Sequence, residues 1–149
     1  MAIGTFTLYN TGKEALLTDN VGGIDWAADT IVAVLLSNAY TPAATHSTFA
    51  DISVTQIADA DYLPVALAGK ISSRTDAVIT FDCDNISYGS SVTISAKYLV
   101  LVKRVAGALA STDQLVGYID LNTDSTSAVA ASITASFAVN TPTGLFDIQ

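Results

Sequence analysis

The sequence predicts a mainly β protein, and three features support this. Thr, Val and Ile are abundant, and these β-branched residues fit the pleated, half-buried surface of a sheet. Glu14 is the only glutamate among 14 acidic residues, and Asp favours turns over helix interiors. Short apolar or alternating segments recur between turn residues, as in sandwiches and barrels. We expect residues 1–149 to form a single antiparallel β-sandwich or barrel-like domain with one or two short helices.

The N-terminal segment predicts one strand and one short helix. Residues 5–10 alternate between polar and apolar side chains, which is the period of a half-buried strand. Asn10 or Thr11 is expected to cap a helix that carries residues 13–17. The Asn- and Gly-containing segment 20–23 should end this helix and turn the chain.

The central strand is predicted at Ile31–Leu36, a continuous apolar run without Gly or Pro. Such a run is typical of a strand buried on both faces, although its periodicity also fits a helix. The β-branched residues at its start and the turn chemistry of Asn38–Pro42 favour the strand.

A brief helix and an edge strand are expected next. Ser47 or Thr48 precedes Phe49, with Asp51 placed as a capping partner, so a short helix should begin here. Pro64 confines its segment to an edge strand or a strand start, because proline lacks the N–H that a sheet ladder needs.

The remaining strands are predicted at Ala77–Phe81, Val92–Val102, Gln114–Leu121 and Ser127–Val139. In Val92–Val102, the even-numbered residues from Val92 share one face. The opposite face turns apolar at Leu99 and Leu101, so we expect that half to be covered by another sheet or another subunit.

Composition argues against several functional classes. The net charge is −8, and Lys103-Arg104 is the only adjacent basic pair, which argues against nucleic-acid binding. No apolar segment approaches the roughly 20 residues of a membrane span. The first ten residues have neither the basic nor the apolar region of a secretory signal, so we expect synthesis in a cytosol. Cys83 is the only cysteine and is expected to be a buried thiol.

Few residues have the types and spacing that catalysis requires. His46 is the only histidine and is expected in a loop or helix cap, with no Gly-x-Ser-x-Gly motif to supply a nucleophile. Trp26 and Tyr88 are predicted to be packing residues rather than a sugar platform. The sequence therefore assigns no catalytic or cofactor-binding residue and predicts a protein that is not an enzyme.

An acidic stretch at residues 82–85 (Asp-Cys-Asp-Asn) begins like a calcium loop. It then lacks the Gly and the closing Glu of that motif, so a turn between two strands is favoured. Asp59 and Asp61 carry the same ambiguity. No metal ligand is assigned, and a calcium site shared between subunits is the alternative.

Several weak motifs together carry a resemblance that extends over nearly the whole chain. They are Trp26-x-x-Asp29-Thr30, Tyr40-Thr41-Pro42, the polar segment Thr45–Ile52, Phe81-Asp82, Thr93-Ile94-x-Ala96-x-Tyr98, Gly117–Asp120 and Gly144–Phe146. In this order the chain resembles a family of small structural proteins of tailed bacteriophages, of the kind known as capsid decoration or cement proteins.

The resemblance implies a structural virion protein that binds and stabilises the outer surface of a capsid after synthesis in the host cytoplasm. The implied partners are the major capsid protein and further copies of the chain, as a homotrimer. No cofactor, nucleic acid or membrane is implied. Leu99 and Leu101 are the candidate subunit interface, and Met1–Thr5 is a candidate N-terminal arm.

Three other functions remain open on the sequence. A tail or head–tail connector component would form larger rings than a decoration protein. A carbohydrate-binding module would need aromatic residues at loop tips, for which Trp26 and Tyr40 are the candidates. An enzyme would need a pair of Asp carboxylates that meet in the fold.

Overall fold

A computed structural model describes residues 5–18, 22–58, 62–75, 78–89, 92–121, 129–133, 138–139 and 146–148. The strands in these ranges are β1 (Phe6–Leu8), β2 (Thr30–Leu36), β3 (Val65–Ala66), β4 (Ile71–Thr75), β5 (Val78–Asp82), β6 (Ile86–Ser87), β7 (Val92–Ala96), β8 (Tyr98–Arg104), β9 (Gln114–Asp120), β10 (Val129–Ile133), β11 (Ala138–Val139) and β12 (Phe146–Ile148). The helices are α1 (Asn10–Leu17) and two 3₁₀ helices, Phe49–Asp51 and Ser53–Thr55. The mainly β prediction is confirmed.

A five-stranded antiparallel sheet with the order β1-β9-β8-β2-β3 is the centre of the molecule. Every residue of Ile31–Leu36 is buried, which confirms that this apolar run is a strand covered on both faces. β3 follows Pro64 and lies at the edge of the sheet, as proline requires. The smaller sheets have the orders β12-β5-β4, β10-β7 and β11-β6.

The five-stranded sheet has a separate hydrophobic core on each face. Alternation along β2 sends Leu35 to one core and Leu36 to the other. One core includes residues from β5, β6 and β7, and we call this side of the sheet the strand-covered face. The other core includes Tyr40, Phe49 and Ile52, which belong to the segment 37–55, and we call it the loop-covered face.

The predicted strand Val92–Val102 is wrong as a single element, because it is interrupted at Lys97. β7 pairs with β10, whereas β8 pairs with β2 and β9. At the break, the Lys97 N–H donates to Leu36 O (2.8 Å) and its carbonyl accepts from the Leu121 N–H (2.8 Å). The inward alternation shifts by one residue there, so Ala96 and Leu99 enter the same core.

This shift decides the surroundings of Leu99 and Leu101, the candidate subunit interface. Both side chains are 0% exposed within the single chain and lie in the core of the strand-covered face. The sequence predicted that either another sheet or another subunit would cover this half of the strand. The chain itself supplies that cover. These two side chains offer no surface to a partner. Of the candidate arm Met1–Thr5, only Thr5 lies within the described residues, and it is exposed.

Tertiary contacts, rather than a side-chain cap, position α1. The N-cap is Tyr9, not Asn10 or Thr11, and it makes no capping hydrogen bond through its side chain. The Tyr9 N–H donates to Val116 O (3.1 Å). The helix lies so close to β9 that a Cβ added at Gly12 would fall 1.9 Å from Val116 O. Glycine is required there because the two backbones are in direct contact.

The 3₁₀ helix Phe49–Asp51 begins as the sequence predicts. Thr48 is its N-cap, and the reciprocal capping box with Asp51 is present. The Asp51 carboxylate accepts from the N–H groups of Ser47 (2.8 Å) and Thr48 (2.9 Å). These bonds are the main reason that the pKa of Asp51 is lowered.

Candidate functional site

A polar cleft of about 800 Å³ lies at the end of the five-stranded sheet where β2 begins and β8 ends. Its lining comprises Thr11, Gly22, Ala28, Asp29, Thr30, Ser47, Thr48, Lys103, Arg104, Val105, Thr112 and Gln114. The cleft thus combines hydroxyl groups, one carboxylate, one amide and the adjacent basic pair that the sequence singled out.

Lys103 is bound to the protein rather than presented to the cleft. Its Nζ donates to Asp29 Oδ2 (2.8 Å), to Gly22 O (3.2 Å) and to Gly23 O. Three acceptors account for the three N–H donors of an ammonium group. The Asp29 carboxylate also accepts from the Asp25 N–H (2.9 Å). Lys103 therefore fastens the segment before β2 to the end of β8.

Arg104 is the second cation of the cleft, and it has no ion-pair partner among the described residues. It lies opposite Thr30 in the β2–β8 ladder and is half-buried. Its planar guanidinium suits a carboxylate or another anion, and the neighbouring hydroxyl groups would add hydrogen bonds. The cleft has the chemistry of a modest anion-binding site.

A hydrogen-bonded chain of Tyr9, Tyr40 and His46 closes the loop-covered face. The two tyrosine hydroxyl oxygens are 2.6 Å apart, and the Tyr40 hydroxyl is 2.8 Å from His46 Nδ1. Both tyrosines are buried, and burial is the main cause that raises the pKa of each. Neither hydroxyl is prepared to act as a nucleophile near neutral pH. His46 lies in a loop, as predicted, and its Nδ1 is engaged by Tyr40.

Local spacing gives no signal for this chain, because Tyr9 and Tyr40 are 31 residues apart. Their rings also contact Tyr118 and Tyr98, with centroid separations of 5.3 Å for Tyr9–Tyr118 and 5.5 Å for Tyr40–Tyr98. Sequence reasoning treated each of these residues singly and missed the cluster.

Buried aromatic side chains on the strand-covered face are bonded to backbone groups of distant segments. Trp26 Nε1–H donates to Asp82 O (3.1 Å), and the Tyr88 hydroxyl donates to Ala33 O (3.2 Å). The prediction that Trp26 and Tyr88 are packing residues is confirmed, since both are buried. Tyr40 is buried as well, so neither Trp26 nor Tyr40 is the exposed loop-tip aromatic that a carbohydrate-binding module would need.

Residues 82–85 connect two strands, as predicted: Asp82 ends β5, Asp84 lies in a bend, and β6 begins at Ile86. Cys83 is the predicted buried thiol. The Asp82 carboxylate accepts from the Cys83 N–H (2.8 Å). Burial, followed by the nearby Asp82 and Asp84 charges, raises the pKa of Cys83 to about 11, which makes it unreactive. Within the described residues no group of three or more His, Cys, Asp or Glu could hold a metal ion. Asp59 and Asp61 lie outside those residues, and the calcium site shared between subunits stays an untested alternative.

In the ranges described above, no helix has the length and apolar character needed to cross a bilayer. No family model, curated protein or solved structure matches this chain. The functional argument therefore depends on the residues themselves.

Proposed function

We propose that this chain is a structural virion protein that binds and stabilises the outer surface of a phage capsid. The observation that carries the proposal is the use of buried polar side chains. Tyr62, Tyr88 and Trp26 each bond a backbone group more than 25 residues away in sequence. On the strand-covered face, polar side chains therefore join distant segments of the chain by hydrogen bonds.

A fold whose distant segments are joined by hydrogen bonds suits a protein that acts through binding alone. A capsid-stabilising protein resists deformation through its contacts with neighbouring capsid subunits. Ordering of loops and side chains on association reduces the affinity that such contacts can supply. A scaffold whose segments are already joined loses less conformational freedom on binding. The acidic net charge of −8 further suits partners other than nucleic acid.

Exposed apolar side chains supply candidate contacts for a protein partner. The large ones among the described residues are Leu17, Val54, Leu63, Ile71, Ile79 and Val105. Val105 adjoins Arg104 at the polar cleft, so an apolar and a cationic group are presented together. A capsid segment with an acidic and an apolar side chain would complement this pair.

Co-sedimentation with phage heads that lack the protein tests the proposal. We expect saturable binding in a fixed ratio to the major capsid protein, and the ratio would identify the lattice position. Val105→Asp and Val54→Asp form a matched pair, because both replace an exposed valine in different parts of the molecule. Loss of binding in only one variant would identify the contacting surface.

The mass of the free protein completes the test. A ring-sized mass combined with no binding to heads would overturn the proposal in favour of a tail or connector component. The homotrimer implied by the resemblance stays a prediction that the same mass decides.

A further inference from the structure

Among the described strands, β4 forms one edge of the three-stranded sheet. It is the last strand in the order β12-β5-β4, and the side chains of Ile71, Ser72, Ser73 and Arg74 are all exposed, on both faces of the strand. An edge strand presents unpaired N–H and C=O groups that another strand can join.

The other edges of the two larger sheets are shorter. β3 has two residues and follows Pro64, and β1 and β12 have three residues each. Short edges and proline are common means of preventing strand addition. β4 has five residues and no proline, so among the four edges of the two larger sheets it offers the longest ladder.

We propose that β4 pairs antiparallel with β4 of a second copy of this chain, about a twofold axis that passes Ser73. The pairing joins two three-stranded sheets into one of six strands. This inference does not depend on capsid binding, and it predicts a different mass from the homotrimer.

Symmetry restricts the register of such a pair. A twofold axis perpendicular to a continuous sheet keeps each side chain on its own face, so the axis must pass a residue rather than a peptide bond. Ser73 is the midpoint of Ile71–Thr75. An axis there pairs all five residues: Ser73 with itself, Ser72 with Arg74, and Ile71 with Thr75.

Charge selects the same register. An axis at Ser72 would bring Lys70 opposite Arg74, and an axis at Arg74 would bring this residue opposite its own copy. Like charges directly opposite each other destabilise a strand pair. With the axis at Ser73, each Arg74 faces a serine.

The charged residues that flank the strand in sequence also suit an axis at Ser73. Lys70 precedes Ser73 by three residues and Asp76 follows it by three. In sequence register, an antiparallel pair centred on Ser73 aligns Lys70 of one copy with Asp76 of the other. Residues 70–74 also contain two of the six basic residues of an otherwise acidic chain, which reduces the repulsion between copies at this edge.

Cysteine cross-linking tests the register directly. Directly paired Cα atoms are about 4.5–5.5 Å apart, within disulfide range. We expect Ser73→Cys to give a covalent dimer under mild oxidation. Ser72→Cys is the matched control, because its copy would be a diagonal neighbour at about 7–8 Å. The native Cys83 is buried and does not compete. Equal cross-linking of both variants, or none in either, overturns the proposal.

Sedimentation of the native chain tests the interface without a cross-link. We expect a monomer–dimer equilibrium, weakened at least tenfold by Ser73→Asp, which places two carboxylates face to face. Thr7→Asp on the edge strand β1 adds the same charge to another exposed position and should leave the equilibrium unchanged. A monomer at all concentrations, or a trimer insensitive to Ser73→Asp, overturns the proposal. A monomer that still binds heads would overturn this inference alone.

Discussion

The two faces of the five-stranded sheet are buried equally well by different means. On the strand-covered face, residues of β5, β6 and β7 pack against β2 and β8. On the loop-covered face, the segment 37–55 supplies Tyr40, Phe49 and Ile52, with only two 3₁₀ turns as regular structure. A sheet face evidently needs apolar contact from its cover rather than a second sheet.

Polar groups are satisfied differently on the two faces. On the strand-covered face, a tyrosine hydroxyl such as that of Tyr62 bonds a backbone group, here the Leu35 N–H (2.8 Å). On the loop-covered face, Tyr9, Tyr40 and His46 bond one another. Irregular segments lack the backbone hydrogen bonds of a sheet, and a network of side-chain hydrogen bonds can take their place. We therefore expect the two faces to respond differently to the same perturbation.

The largest expected effect comes from two neighbouring leucines of β2. Leu35→Ala and Leu36→Ala remove the same atoms from completely buried sites on opposite faces. Each should cost about 2–5 kcal/mol in the free energy of unfolding. Leu35→Ala should cost more, because a strand layer closes a cavity less readily than a loop does. Urea unfolding followed by circular dichroism measures the free energy of unfolding of both variants. Equal costs would contradict the idea that the two kinds of cover close a cavity to different extents.

The next effect concerns the tyrosine hydroxyls. Tyr40→Phe should cost about 1–3 kcal/mol, because it leaves the hydroxyl of the completely buried Tyr9 without its partner. The double variant Tyr9→Phe/Tyr40→Phe should be less damaged than Tyr40→Phe alone. Tyr62→Phe should cost a similar amount with no such rescue, since the Leu35 N–H that it leaves without the hydroxyl belongs to the backbone and cannot be removed by a second substitution. Additive losses in the double variant would contradict the network interpretation.

Alkaline pH should destabilise both faces. Burial raises the pKa of Tyr62 to about 12 and raises that of Tyr9, Tyr40 and Tyr88 as well. An unfolded tyrosine loses its proton near pH 10, so above about that pH the unfolded state binds fewer protons than the folded state. Stability is therefore fully present below about pH 10 and falls as pH rises toward the folded-state pKa values.

Each such tyrosine contributes a slope of up to about 1.4 kcal/mol per pH unit. Urea midpoints between about pH 8 and 11.5 would measure it. Tyr62→Phe should make the slope shallower, and a slope unchanged by this substitution would contradict the assignment.

The smallest expected effect is at the cap of the loop-covered face. Asp51→Ala removes the capping box of Phe49–Asp51 and should cost about 0.5–1 kcal/mol, the lower part of the range for caps, because Asp51 is exposed. Its pKa is lowered, so its contribution is present above about pH 4 and is lost as pH falls through the folded-state value. Thermal unfolding at a series of pH values from 7 downward should show the largest difference between variant and native chain at pH 7 and a smaller one as the pH falls below about 4.

Much of the fold is predictable where the signal is local. The apolar run Ile31–Leu36, the proline before β3 and the Thr48–Asp51 cap each have a cause within a few residues, and each is confirmed. The break at Lys97 was missed because strict alternation continues through it. The change from alternating to continuous apolar residues at Leu99 was the available sign.

The candidate sites were less predictable because long-range contacts form them. The cleft combines segments that are about 100 residues apart, from Thr11 to Thr112, and only the Lys103-Arg104 pair stood out in sequence. The sequence left Trp26 and Tyr40 as candidates for exposed aromatic residues. Segments from elsewhere in the chain pack on both side chains and bury them.

Trp26 has a practical consequence as the chain's single tryptophan. It is 4% exposed in the core of the strand-covered face, with its ring edge-on to Phe81 at 5.6 Å between centroids. The buried aromatic residues of the loop-covered face are tyrosine and phenylalanine. Light that excites only the indole therefore produces emission from one side of the sheet, so the chain contains its own optical reporter for that side.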